Sequence, residues 1–155
     1  MFEPTDTPKQ VLVVEDSPGD VRLTREAFRE ANPNIHLHVA ADGTEAMEFL
    51  RREGRHAYAP RPDLILLDLN LPKMDGREVL ANIKASQDLK TIPTVVLSTS
   101  TAQADIALSY QLLANCYLSK PIQLEQFELL VKSINDFWLT KVRLPHRDST
   151  LPQIN

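Results

Sequence analysis

Glu15, Asp16, Asp68, Ser98 and Lys120 each stand where a short apolar run ends. The runs are Val11-Leu12-Val13-Val14, Leu64-Ile65-Leu66-Leu67, Val95-Val96-Leu97 and Cys116-Tyr117-Leu118. Three carboxylates brought to one place repel one another, by about 4 kcal/mol per pair at ~4 Å and an effective dielectric of ~20. A hard divalent cation offsets that repulsion, and Mg²⁺ suits a few carboxylate oxygens with retained water. A lysine beside such a cluster neutralises it and can pair with a phosphoryl group. A serine hydroxyl can donate to a phosphoryl oxygen. Taken singly, each residue has a plainer reading. Acidic residues at strand ends cap helices or face water, Lys120 before Pro121 is a turn lysine, and Ser98-Thr99-Ser100-Thr101 resembles a capping stretch. Together they read as a site.

Residues can meet in this way only if the apolar runs lie side by side. Short, continuous aliphatic runs read as strands buried on both faces of a parallel sheet. In such sheets ligands bind outside the carboxyl ends of the strands. The first strand spans 10–14. Ser17-Pro18-Gly19-Asp20 then supplies an N-cap, a proline at the first helical position and a carboxylate at the third. Its helix is predicted to close before Asn32-Pro33-Asn34. A strand over 35–40 and an amphipathic helix over 44–52 follow, then a long polar connection over 51–62. Strands are predicted over 63–68, 94–97 and 116–118. Helices are predicted through Ala85, over 101–114 and over 124–139. Strict alternation of strand and helix gives an α/β fold, a five-stranded parallel sheet with five helices on its two faces.

The chain of 155 residues is read as one domain, able to bury roughly two-thirds of its unfolded surface. Its hydrophobic content of 43% and charged content of 25% are those of an ordinary globular protein. A net charge of −4 gives no electrostatic ground for nucleic-acid binding. The single Cys116 cannot pair internally, which fits a reducing compartment. The first ten residues lack the apolar core of a signal peptide, and no run approaches the ~20 residues of a membrane span. The expectation is cytoplasmic, with no membrane partner.

Val13-Val14-Glu15-Asp16, Asp68-Leu69-Asn70-Leu71-Pro72-Lys73-Met74-Asp75-Gly76, Leu97-Ser98-Thr99 and Tyr117-Leu118-Ser119-Lys120-Pro121 fall in one order. In that order they resemble the receiver domain of two-component response regulators. The resemblance covers residues 9–139, with 140–155 as a C-terminal extension and no separate output domain. It implies a flavodoxin-like doubly wound sheet in the order 2-1-3-4-5. It also implies that a sensor histidine kinase phosphorylates Asp68, and that Mg²⁺ is held by Glu15, Asp16, Asp68 and the carbonyl of Asn70. Lys120 would pair with the phosphoryl group, across a Lys120-Pro121 bond that is usually cis in the family. Ser98 and Tyr117 resemble the family's switch pair, although Tyr117 also fits a half-buried strand aromatic. Such a protein is a phosphoacceptor taking part in its own chemistry rather than a conventional enzyme.

Four positions depart from the family pattern. Ser98 replaces the commoner threonine, Thr99 stands where a small residue is usual, Glu15 replaces aspartate, and Leu113-Ala114-Asn115 lacks the usual glycine. The long loop before Asp63 and the Phe137-Trp138-Leu139 ending resemble the small regulators paired with cyanobacterial and bacterial phytochromes.

On the last helix Leu124, Phe127, Val131, Ile134 and Trp138 follow core spacing. Leu130 and Phe137 form a second stripe that either faces a twin subunit, making a homodimer, or lies under the tail through Leu144 and Leu151.

Other classes compete. A phosphorylation-independent adaptor on the same fold has no need of Asp16, Asp68 and Lys120 together. A haloacid-dehalogenase-type phosphatase wants an acid where Asn70 stands. A P-loop enzyme needs G-x-x-x-x-G-K-[ST], which is absent, and a flavodoxin needs a Ser/Thr-Gly loop in place of Glu15-Asp16-Ser17-Pro18.

Overall fold

The aliphatic runs pair as parallel neighbours in a single sheet. The computed structural model describes residues 7–145. Its strands are β1 (Lys9–Val14), β2 (Ile35–Ala40), β3 (Leu64–Leu67), β4 (Thr94–Ser98) and β5 (Cys116–Ser119), in the order β2-β1-β3-β4-β5. Its helices are α1 (Pro18–Ala31), α2 (Gly43–Arg51), α3 (Gly76–Ala85), α4 (Gln103–Gln111) and α5 (Leu124–Asp136). The connection between α2 and β3 contains a single 3₁₀ turn, Gly54–His56. Among the described residues no helix is long and apolar enough to cross a membrane.

Strand side chains alternate between faces, so each run feeds two cores. Leu12, Val14, Ile65, Leu67 and Val96 pack with Met47 of α2 and with Leu80 and Ile83 of α3. Val11, Val13, Leu64, Leu66 and Val95 pack with Phe28 of α1 and with Phe127, Val131 and Ile134 of α5. Burying each of these side chains contributes about 1.5–3 kcal/mol. This two-sided burial explains why the strands read as continuous apolar runs rather than alternating ones.

Register sets the height of the strand ends. Val14 pairs with both Ala40 and Leu67, and Leu67 pairs with Val96. Glu15 and Asp68 therefore leave the sheet at one level. The Asp68 N–H donates to the Val14 carbonyl at 3.1 Å, and the Glu15 N–H to the Ala40 carbonyl at 3.0 Å. The Ser17 hydroxyl caps α1 by accepting from the Asp20 N–H at 3.3 Å, with Pro18 opening the helix.

Two helices differ by more than one residue from their sequence-based bounds. No member of the Ser98–Thr101 stretch is the N-cap of α4: Ala102 is, without a side-chain cap bond. Of its own residues α4 buries only Ser109. The last helix ends at Asp136 and widens into a π turn over Phe137–Lys141. A wider turn shifts the helical phase. Leu139 is therefore buried. Leu124, which core spacing places inside, opens α5 and is 49% exposed. Leu130 is half-buried against the core cluster that Leu144 also joins, and Phe137 is 54% exposed. Leu151 lies outside the described residues.

At the end of α4 the Leu113 N–H donates to the Tyr110 carbonyl and the Ala114 N–H to the Ser109 carbonyl, both at 3.0 Å. This is a Schellman ending, and Leu113 occupies its left-handed position at φ 72°. That is the segment where the sequence lacks a glycine. A left-handed L-residue costs about 1–2 kcal/mol, and the exposed Leu113 side chain offsets little of it. Leu113→Gly is therefore expected to raise the unfolding free energy by about 1 kcal/mol. Urea titration checks this, and an equal or lower midpoint counts against it.

Candidate functional site

At the carboxyl ends of β1 and β3, one carboxylate oxygen from each of Glu15, Asp16 and Asp68 lies within 4.8 Å of the others. Asp16 is exposed, Asp68 is half-buried and Glu15 is 6% exposed. Burial raises the Glu15 pKa above its ordinary value, and the Asp68 charge adds to the rise; the Lys120 ammonium and the Ser17 N–H oppose it without cancelling it. The Ser17 N–H donates to Glu15 Oε2 at 3.1 Å. Asp68 Oδ1 accepts the Asn70 N–H at 3.1 Å, a turn bonded to its own backbone two residues on.

Lys120 reaches this cluster from the end of β5. Its own N–H donates to the Ser98 carbonyl at 2.7 Å, extending the ladder past the strand. Its ammonium, with the side chain 7% exposed, donates to Glu15 Oε1, to Asp20 Oδ2 at 3.0 Å and to Asp68 Oδ2 at 3.4 Å. Burial alone lowers a lysine pKa; here the Glu15 hydrogen bond and the Asp68 charge outweigh it and raise that of Lys120. Asp20 had not been assigned to the site. Ser17-Pro18 fixes the start of α1 at the end of β1, but no local pattern states that its third residue turns toward Lys120.

Glu15, Asp20 and Asp68 contact one ammonium and Asp16 stands beside Glu15 and Asp68, which leaves an excess of negative charge. All-oxygen donors in partial exposure fit a hard divalent cation that keeps some of its water. Glu15, Asp16 and Asp68 can supply its carboxylate oxygens. Asn70 is exposed beside them.

Ser98 is fully buried, and its hydroxyl oxygen accepts the Ser100 N–H at 3.2 Å. Tyr117 is half-buried against the core on the α2–α3 face, and its hydroxyl donates to the Ser100 carbonyl at 2.8 Å. Thr99, between them, is exposed. Leu130, in the middle of α5, and Phe137, in the π turn that follows it, are not part of this cluster. Among the described residues no peptide bond is cis, so Lys120-Pro121 is trans, contrary to the expectation. A proline amide makes the two isomers differ by only ~1 kcal/mol.

Backbone alone seats the Asp68 loop. A Cβ on Gly76 would fall 2.2 Å from the Asp68 carbonyl oxygen, and one on Gly43 would fall 2.0 Å from that of Met74. Neither position has room for a side chain. The Gly76 N–H donates to the Leu69 carbonyl at 2.9 Å, and Lys73 between them holds φ at 64°. A left-handed non-glycine residue beside a cluster of charge is the kind of strain that functional loops retain.

Residues 11–132 match the response regulator receiver domain family. The chain belongs to that family, the response regulators of two-component signalling. It is 48% identical over 145 residues to the response regulator Rcp1 of a Synechocystis species, covering 94% of this chain and 99% of that one. The crystal structure of the phosphorylated cyanobacterial phytochrome response regulator RcpA superposes with a TM-score of 0.87 at 51% identity, covering 90% of this chain and 99% of that chain. The Mn²⁺-bound form of Rcp1 superposes with a TM-score of 0.86 at 50% identity, covering 90% and 100%. Receiver domains bind a divalent metal, and the acidic cluster lies at the carboxyl edge of the sheet, where ligands of such folds bind.

Proposed function

We propose that this chain is a cytoplasmic phosphoacceptor that takes a phosphoryl group onto Asp68 from the phosphohistidine of a phytochrome-type sensor kinase. The observation that carries this reading is Lys120, whose ammonium lies between Glu15 and Asp68 at the strand ends. An Asp68 carboxylate oxygen attacks phosphorus in line, the bond from phosphorus to the donor's leaving group breaks, and an aspartyl phosphate forms. Glu15, Asp16, Asp68 and the carbonyl of Asn70 would hold Mg²⁺, which supplies neutralisation of charge on the transferring group. Lys120 then shifts from Asp68 to the new phosphoryl oxygens, a charge-assisted contact. Phosphorylation adds about −1.5 to −2 of charge. The Ser98 hydroxyl moves to donate to it, and Tyr117 turns into the vacated space. The kinase class is supported by the 51% identity to a phytochrome response regulator.

The experiment is incubation with acetyl phosphate and Mg²⁺, followed by intact mass. The expected result is one phosphoryl adduct, which does not form when EDTA replaces the metal. No adduct would leave the phosphorylation-independent adaptor as the better reading.

We further propose a homodimer through the α5 face, with Phe137 as its exposed anchor and the half-buried Leu130 on the same stripe. Light scattering tests this: Phe137→Glu is expected to halve the mass, and a mass that does not change removes the face.

A further inference from the structure

Asp20 holds Lys120 without belonging to the proposed metal set or to the phosphoryl transfer. A lysine ammonium has three N–H donors and no acceptor. In Lys120 all three are engaged, by Glu15 Oε1, by Asp20 Oδ2 at 3.0 Å and by Asp68 Oδ2 at 3.4 Å. The longest of these contacts is the one to the proposed acceptor, so the ammonium stands toward Glu15 and Asp20. Asp20 is not free to follow it toward Asp68. It is the third residue of α1, where its N–H donates to the Ser17 hydroxyl and its carbonyl accepts from the buried Thr24 hydroxyl at 2.7 Å. The two flanking carboxylates also differ in exposure. The Asp20 side chain is 35% exposed and that of Glu15 only 7%. Water can solvate Asp20 when the ammonium leaves it, whereas Glu15 would be left as a buried, unpaired charge. Asp20 is therefore the contact that can be given up.

An acid in the first turn of a helix has a plainer use, since it complements the helix dipole by about 0.3–1 kcal/mol. That use needs no lysine, yet Asp20 directs one oxygen at an ammonium 100 positions along the chain. We propose that Asp20 is a positioning residue that holds Lys120 back from the acceptor and so limits how tightly a phosphoryl group is held at Asp68. This rests on the reading of Asp68 as the acceptor. To reach the phosphoryl oxygens the ammonium moves toward Asp68 and lengthens its bond to Asp20. An amide in place of the carboxylate holds the ammonium less strongly, while Glu15 still keeps it at the site. The phosphoryl-bound arrangement then lies lower relative to the resting one, and a ligand that favours it binds more tightly.

The test is titration with beryllofluoride, a phosphoryl mimic, in saturating Mg²⁺, followed by fluorine NMR. Asp20→Asn is expected to lower the half-saturating concentration about threefold to tenfold. A loosened site, or loss of the dipole contact alone, would leave it unchanged or raise it. In a Lys120→Met background the same substitution should change the midpoint by less than about twofold, because the contact it removes is already gone. An equal gain in both backgrounds assigns the effect to the field of the Asp20 charge and overturns the positioning role. Where Lys120→Met does not fold or does not bind, salt separates the two causes in the single variant. At ~1 M the Debye length is ~3 Å, so the field of a partly exposed carboxylate is screened. A gain over wild type that persists at that salt supports the contact, and one that disappears overturns it. Unchanged or weaker binding in folded Asp20→Asn also overturns the positioning role and leaves the phosphoacceptor reading standing. Failure of the wild-type protein to form the adduct overturns that reading itself.

Discussion

An Asp68→Asn variant gains no phosphoryl mass from acetyl phosphate and Mg²⁺ under conditions in which the wild-type chain gains one. The expected loss is complete because the amide removes the attacking oxygen anion while the rest of the site stays in place. Asparagine keeps the side-chain oxygen that accepts the Asn70 N–H, so the loop retains its turn. Lys120 keeps its contacts with Glu15 and Asp20. Removing one member of a crowded acidic cluster also relieves repulsion, so the metal-free variant should unfold no more easily than wild type. An adduct that survives the substitution, for instance on the exposed Asp16, would overturn the assignment of the acceptor.

The second large effect is on stability. Lys120→Met should lower the unfolding free energy by about 3–5 kcal/mol in EDTA, the usual result of removing one partner from a buried ion pair. Glu15 and Asp68 would be left facing each other with no opposing charge, their side chains 7% and 11% exposed. Saturating Mg²⁺ should restore part of the loss, by about 2.7 kcal/mol at a hundredfold excess over its Kd.

A pH dependence accompanies this. The folded-state pKa of Glu15 already stands above its ordinary 4.5, chiefly through burial. Between 4.5 and the raised value the folded chain binds more protons than the unfolded one, so stability falls as pH rises through that window. Without Lys120 the window widens, and the deficit of the variant should grow from acid toward neutral pH. Thermal melts across pH, with EDTA and with Mg²⁺, provide the check. A melting temperature indifferent to both would contradict the electrostatic account of the cluster.

What could be read from sequence followed from how local the cause was. Strands buried on both faces announce themselves as continuous aliphatic runs, and Ser17-Pro18 marks the start of α1 to the residue. Sheet order came from the resemblance and matches the observed pairing. The approach of Asp20 to Lys120 was not legible, because it joins residues 100 positions apart through a helix orientation that no local pattern states. The start of α4 was missed for a related reason. Ser100 hydrogen-bonds to Asp105 instead of capping, and which of several neighbouring hydroxyls does so depends on where α3 presents Arg77. Leu139 enters the core through a π turn that changes phase without any mark in the residue types, and Leu124 stands at the first position of α5, where helical spacing alone does not settle burial.

Gly43 and Gly76 have a mechanical consequence. Where each of them meets the Asp68 loop, backbone bears on backbone, with no side chain between to change rotamer and absorb a displacement. That side of the acceptor is stiff. The opposite side consists of exposed Thr99, a hydrogen-bonded Ser100 and a helix with one buried residue, and it is soft. Charge added at Asp68 under the proposed function would pull on Lys120 and repel Glu15 and Asp16, and the resulting displacement would go where resistance is least. The acceptor behaves like a weight set between an anvil and a spring. On the proposed reading of Asp68 as acceptor, this uneven stiffness would direct displacement toward β4 and α4.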